Sequence, residues 1–185
     1  MAPVASFTAG DTGEWRIEAI NAVAGEGLPP AAFLSTTAGE GGAEQGGAGL
    51  GAWTLRGVAS NTRYTERAEA TTLGSRQEGL GRPAASRAVL IPMRKSDAWW
   101  ALAQDERRAI FAAQSDHIGI GLDVLPAVAR RLLHARDLGE PFDFLTWFEF
   151  APEATGAFDA MLARLRATVE WTFVEREVEV RLTRA

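Results

Sequence analysis

The chain has 185 residues, a net charge of −5, 46% hydrophobic and 23% charged residues, and no cysteine. That length fits one domain or two small fused halves, and the composition is that of a folded globular protein. The charge balance gives no support for nucleic-acid binding, and the lack of cysteine excludes disulfides, thiolate nucleophiles, iron–sulfur clusters and thioether-linked haem.

The N-terminus, MAPVASFTAGDTGEW, has neither a basic start nor a long apolar core, so it does not read as a secretory signal. No stretch approaches the roughly 18 apolar residues of a membrane helix, so the default expectation is a cytoplasmic protein without membrane contact. Residues 14–22 alternate partly and predict a strand, which LPP at 28–30 ends. The segment 39–51 holds seven glycines and reads as a flexible loop. A phosphate cradle would need Gly-Lys-Ser/Thr entering a helix, and none follows.

Residues 52–60 predict a second strand, and 64–78 a helix capped by Thr65. Residues 86–93 read as a buried strand. A short helix capped by Ser96 or Asp97 runs through Trp99 and Trp100. A longer one runs from Gln104 to about Asp116, with Asp105 and Glu106 in its first turn. PAVARRLLHAR looks helical by propensity. The turn DLGEP and the period-two aromatics of FDFLTWFEF favour a hairpin instead, with strands at 126–136 and 142–150. A helix over 154–169 places Phe158, Met161, Leu162, Leu165 and Val169 on one stripe, and a strand over 171–183 closes the chain. Helices scattered among strands and a hairpin imply an α+β fold with an antiparallel sheet, the second half laid out in ferredoxin-like order.

Only two histidines occur. On the expected helix from Asp105, Ile110, Ala113 and His117 share an inward face, with His117 at the helix end. A lone histidine there is more often a satisfied core residue than a metal ligand. The same holds more strongly for His134, expected near the hairpin turn and partly exposed. Two histidines without cysteine do not make a four-ligand zinc site, whereas a haem needs one protein ligand. Six tryptophans and nine phenylalanines can line an apolar slot, although most pack a core in any fold. If 126–136 is a strand, Arg130 shares a face with Val128 and Leu132. A guanidinium there is either paired with a carboxylate or available to an anion. Glu170, expected at a helix C-terminus, opposes the helix dipole. It is either a surface acid or the carboxylate that orients a ligating histidine.

The segments RGVASNTRYTERAE (56–69), LIPMRKSDAWW (90–100), DERRAIF (105–111), DHIGIGLDVLPAVARRLLHARDLGEPFDFLTWFEFAPE (116–153) and RATVEWTFVEREVEVRL (166–182) resemble the chlorite dismutase family. The length resembles its short, typically dimeric branch. The resemblance implies one domain over 1–185, of the ferredoxin-like, dimeric α+β barrel type, with an antiparallel sheet and helices on one face. It also implies a reduced N-terminal half over 1–80 and a haem-binding half over 81–185. It implies haem b as cofactor and conversion of chlorite to chloride and dioxygen by a homodimer.

By position, His117 resembles the iron ligand, Glu170 the carboxylate bonded to it, and Lys95 the lysine supporting that carboxylate. Arg130 resembles the catalytic arginine on the other side of the haem. Trp100 and Tyr64 resemble residues flanking the haem, Asn61 lies in the same motif, and Gln77 resembles a glutamine that bonds the arginine. Coproheme decarboxylases share the fold and the histidine. They carry glutamine where Arg130 stands and use a reactive tyrosine, whereas the single tyrosine here is in SNTRY. A coproheme decarboxylase-like protein or a non-catalytic haem sensor are the alternatives.

Overall fold

The structure, a computed structural model, describes residues 4–39, 51–59 and 66–185. Residues 40–50 of the glycine-rich segment lie outside it, as do Asn61, Tyr64 and Thr65. The chain runs β1 (Val4–Gly10), β2 (Trp15–Ala24), β3 (Phe33–Gly39), β4 (Trp53–Ala59), α1 (Arg67–Arg76), β5 (Arg87–Lys95), α2 (Asp97–Ala101) and α3 (Gln104–Arg108). It continues through α4 (His117–Leu122), β6 (Val128–His134), β7 (Phe144–Phe150), α5 (Thr155–Arg166) and β8 (Val174–Arg184). Among the described residues no helix is long and apolar enough to cross a membrane.

The eight strands close into one antiparallel barrel in the order β1-β3-β2-β8-β5-β7-β6-β4. This corrects the expected ferredoxin-like α+β sheet with helices on one face and a reduced N-terminal half. Two strands carry the correction. β1 (VASFTAG) and β3 (FLSTTAG) are short runs of small and hydroxylated residues with weak alternation, and neither stands out in the sequence. They pair with each other, and β1 also pairs with β4. β2 then pairs with β8 and β4 with β6, so the first four strands supply half of a closed wall. Each strand has a neighbour on both sides, although β2–β3 and β4–β6 meet over only two residue pairs each.

Period-two geometry separates two cores. Leu90, Leu145, Trp147, Leu133, Val178 and Val180 point into the barrel, where they meet Phe7, Trp15 and Trp53. The alternate residues Val89, Ile91, Phe148 and Val128 face outward, against Phe158, Met161, Leu162 and Leu165 of α5. The stripe expected for that helix is buried through those four residues; Val169 lies beyond the helix and is exposed. Full burial of one such side chain contributes about 1.5–3 kcal/mol. The hairpin also forms, as β6 and β7 in register from Val128↔Phe150 to His134↔Phe144. Its aromatic alternation outweighs the helical propensity of the first arm because the outward face has α5 to pack against.

The helix expected from Gln104 to Asp116 differs. α3 passes into a π-helical turn over Ala109–Gln114, and Asp116 then adopts the left-handed conformation with φ 46°. His117 therefore begins α4 rather than ending the preceding helix. Helix α1 starts after Glu66, whose N–H donates to Glu69 Oε2 at 2.7 Å, so the first-turn acid supplies the cap.

The barrel interior leaves no room at Gly57 of β4: a Cβ there would stand 2.7 Å from the Leu133 Cβ on β6. Gly57→Ala should lower stability by about 1–3 kcal/mol through overpacking, measured by denaturant titration.

Candidate functional site

A cavity of about 420 Å³ opens on the outer side of the barrel. Its strand wall is the outward face of β5, β6 and β7, including Ile91, Met93, Leu132, Phe144 and Phe148. Its helical wall comes from α4, α5 and the turn at 169–173. The volume lies within the range of about 300–1,000 Å³ common for small-molecule and cofactor sites.

His117 lines the helical wall. Its Nδ1 is 2.7 Å from Glu170 Oε2, and the other oxygen of Glu170 accepts from Lys95 Nζ at 2.8 Å. The Glu170 backbone N–H donates to Ser115 Oγ at 3.0 Å, which ties the acid to the turn just before α4. Lys95 and Glu170 are 3% and 4% exposed. Burial alone would raise the Glu170 carboxyl, but the facing His117 and Lys95 outweigh it and hold the group at about 2. Burial pulls Lys95 below the ordinary lysine range, against the opposing attraction of Glu170. With Nδ1 engaged, Nε2 is the His117 nitrogen available to a metal.

Three further observations shape this wall. Phe111 lies 4.5 Å from the His117 ring, centroid to centroid, at 24°, and Trp171 lies 6.0 Å from it at 21°. The left-handed Asp116 sets the direction of α4, and its carboxylate occupies the space that a Cβ at Gly119 would need, 2.3 Å from Oδ1. Gly121, one turn after His117, keeps the helix surface low beneath Arg130: a Cβ there would be 3.4 Å from its Nη1.

Arg130 reaches the same cavity from β6, sharing the outward face with Val128 and Leu132 as the alternation implies. Its guanidinium makes no ion pair among the described residues, and burial alone lowers its pKa. An uncompensated guanidinium in a partly desolvated pocket favours an anion as its partner. Gln77 also lines the cavity, but its amide donates 2.7 Å to the Arg130 backbone carbonyl rather than to the side chain.

Lys95, Gln77, His117, Arg130 and Glu170 thus come together on one cavity. Trp100 stands behind it: its indole N–H donates 3.2 Å to Asp143, and its ring stacks at 6.0 Å on Phe144, a wall residue. Asn61 and Tyr64 lie outside the described residues. His134, expected to be partly exposed, is buried and lines the cavity, because the outward face of β6 carries it beside Arg130 and Leu132. Ser115, Phe111 and Trp171 carry no sequence signal of their own beyond lying close to His117 or Glu170 in the chain.

This barrel carries a charge-supported histidine and an arginine without an ion pair among the described residues on one outer cavity. Residues 44–184 match the family model described as chlorite dismutase, and the chain belongs to that family. A crystal structure of dimeric chlorite dismutases from Nitrobacter winogradskyi is 54% identical, with a TM-score of 0.89 over 98% of this chain and 99% of that one. The chlorite dismutase of Candidatus Nitrospira defluvii, solved in complex with imidazole, shares the fold at 19% identity and a TM-score of 0.64, over 98% of this chain and 91% of that one. No curated protein matches the chain.

Glu170 is ionised in the folded protein down to a pH of about 2, against an ordinary value of 4.5. Between those values the unfolded chain takes up a proton that the folded one refuses, so the contribution of Glu170 to stability is lost as pH falls through that window. Glu170→Gln should flatten the fall of the denaturation midpoint between pH 4.5 and about 2, measured by thermal melts across that range.

Proposed function

We propose that the protein is a haem b-dependent chlorite dismutase, converting chlorite to chloride and dioxygen, and that it works as a homodimer like the Nitrobacter winogradskyi protein. The observation that carries this reading is one cavity holding both His117, braced by Glu170 and Lys95, and Arg130, which has no counter-ion among the described residues. The residues fit a haem. The cavity is walled largely by apolar side chains, the glycine at 121 leaves one helix surface open, and the bond to Glu170 leaves Nε2 of His117 for a metal. Among the described residues no three His, Asp or Glu side chains gather around a possible ion site, whereas a haem asks for one ligand.

When bound, haem b supplies the iron at which oxygen leaves chlorine and the O–O bond forms; the protein orients and tunes. His117 would hold the iron, and Glu170, accepting its Nδ1–H, would make the ring more electron-donating. Lys95 keeps Glu170 ionised and in place. Arg130 would draw chlorite into an acidic protein and hold it beside the reacting centre. Gln77 anchors the β6 backbone at Arg130 and leaves the guanidinium free for the anion. Ile91, Leu132 and Phe148 exclude water that would weaken this attraction. Tyr64, with Asn61 in the same motif, is assigned to flanking the haem, and Trp100 to backing the wall through Phe144.

Haem-loaded protein mixed with chlorite in an oxygen electrode should release dioxygen and chloride in equal amounts; a Soret band without oxygen release would leave a haem-binding protein only. His117→Ala should lose haem or hold it loosely, seen as a diminished Soret band after gel filtration. Arg130→Ala should retain haem but turn over at least tenfold more slowly, as expected for loss of one charged partner of the reacting anion, and should bleach after fewer turnovers. Rates equal to the parent in that variant would remove Arg130 from the reaction.

A further inference from the structure

Glu177 of β8 has no exposed surface. It accepts from Arg166 Nε at 3.0 Å and Nη2 at 2.6 Å, and from the indole N–H of Trp171 at 2.8 Å. Arg166 Nη2 also reaches Glu179 at 2.6 Å, and Glu179 is bonded in turn by Arg181 Nε at 2.6 Å. An ion pair taken out of water contributes little net stability, because desolvation offsets its attraction; what it does supply is fixed geometry for the groups it bonds. Here the group so fixed, besides the ions themselves, is the indole of Trp171.

That indole lies beside the bracing system of His117. Its plane is within 21° of the imidazole at 6.0 Å between centroids, and Lys95 Nζ stands 5.4 Å from its ring centre. Trp171 follows Glu170 directly, on one short 3-10 turn, so a single turn supplies both the hydrogen bond to His117 and a ring parallel to it. The two act on different freedoms. The Nδ1–Oε2 bond holds one edge of the imidazole but permits rotation about its own axis. Near-parallel rings oppose that rotation, Phe111 at 4.5 Å and the indole at 6.0 Å, and the indole can do so only if it is itself held.

We propose that Trp171 is a positioning residue that sets the ring plane of His117, and that the buried Glu177, held by Arg166, serves to anchor its indole. The proposal rests on His117 as the haem ligand for its functional meaning, but the restraint belongs to the protein and exists without haem.

Two variants separate the parts of the idea. Trp171→Leu removes the ring, and Trp171→Phe keeps a ring but removes the N–H that Glu177 holds. In the haem-free protein, NMR of ring-labelled histidine should give one sharp set of His117 signals for the parent. Both variants should give doubled or exchange-broadened signals, more so for leucine. In haem-loaded protein, the ferric high-spin EPR signal should pass from one species in the parent to a mixture in both variants. A residue serving packing alone would lower the thermal midpoint and leave both signatures unchanged. Sharp parent-like signals in Trp171→Leu would overturn the positioning role. Such signals in Trp171→Phe alone would overturn the anchoring by Glu177. If the parent takes up no haem, the proposed activity fails while the NMR comparison still decides the role of Trp171.

Discussion

A carboxylate removed from water must find charged or hydrogen-bonding partners, and Glu170 has them on every side. His117 and Lys95 each take one oxygen, and Ser115 takes the backbone N–H. This cluster joins the end of β5, the turn before α4 and the turn before β8, three places far apart in the chain. Removing a partner would leave an uncompensated buried charge, which costs about 3–5 kcal/mol. The geometry of the helical wall, and so the direction in which His117 presents its remaining nitrogen, follows from satisfying that one carboxylate.

The other wall follows from the parity of the strands. Along β5, β6 and β7, alternate residues fill the barrel and the rest face the helices. Where α5 packs on that outer face, it forms the second core. Farther along the same strands the helices stand off, and Met93, Arg130, Leu132, His134 and Phe144 line a cavity instead of a contact. Core and site are thus two ends of one sheet face, and a shift of one residue in the β6 register would turn Arg130 into the barrel.

Much of this was legible in the chain. Period-two aromatics identified the β6–β7 hairpin against its helical propensity, and the same period placed Arg130 with Val128 and Leu132. The apolar stripe of α5 was readable through Leu165. The barrel was not, because β1 and β3 are built of small and hydroxylated residues whose alternation is weak, and because closure depends on pairings such as β2 with β8 that no local pattern encodes. The position of His117 at a helix start was hidden for a different reason: a single left-handed residue, Asp116, redirects a stretch with continuous helical propensity. His134 was misplaced because nearness to a turn suggested exposure, whereas strand parity carries it onto the cavity wall.

The sequence by itself determined the chemical inventory: two histidines, a guanidinium on an apolar strand face, no thiol, and motifs that resemble one family across residues 56–182. Local periodicity determined most elements as well, since side-chain direction in a strand or helix depends only on neighbours in the chain. Tertiary structure decided which charges meet. Glu170 reads as either a surface acid or the partner of a histidine until Lys95 and His117 close around it, and Glu177 is buried by Arg166 and Trp171, which lie outside its own strand. Burial and electrostatic partnership depend on distances between segments remote in sequence, and those distances exist only once the barrel has closed.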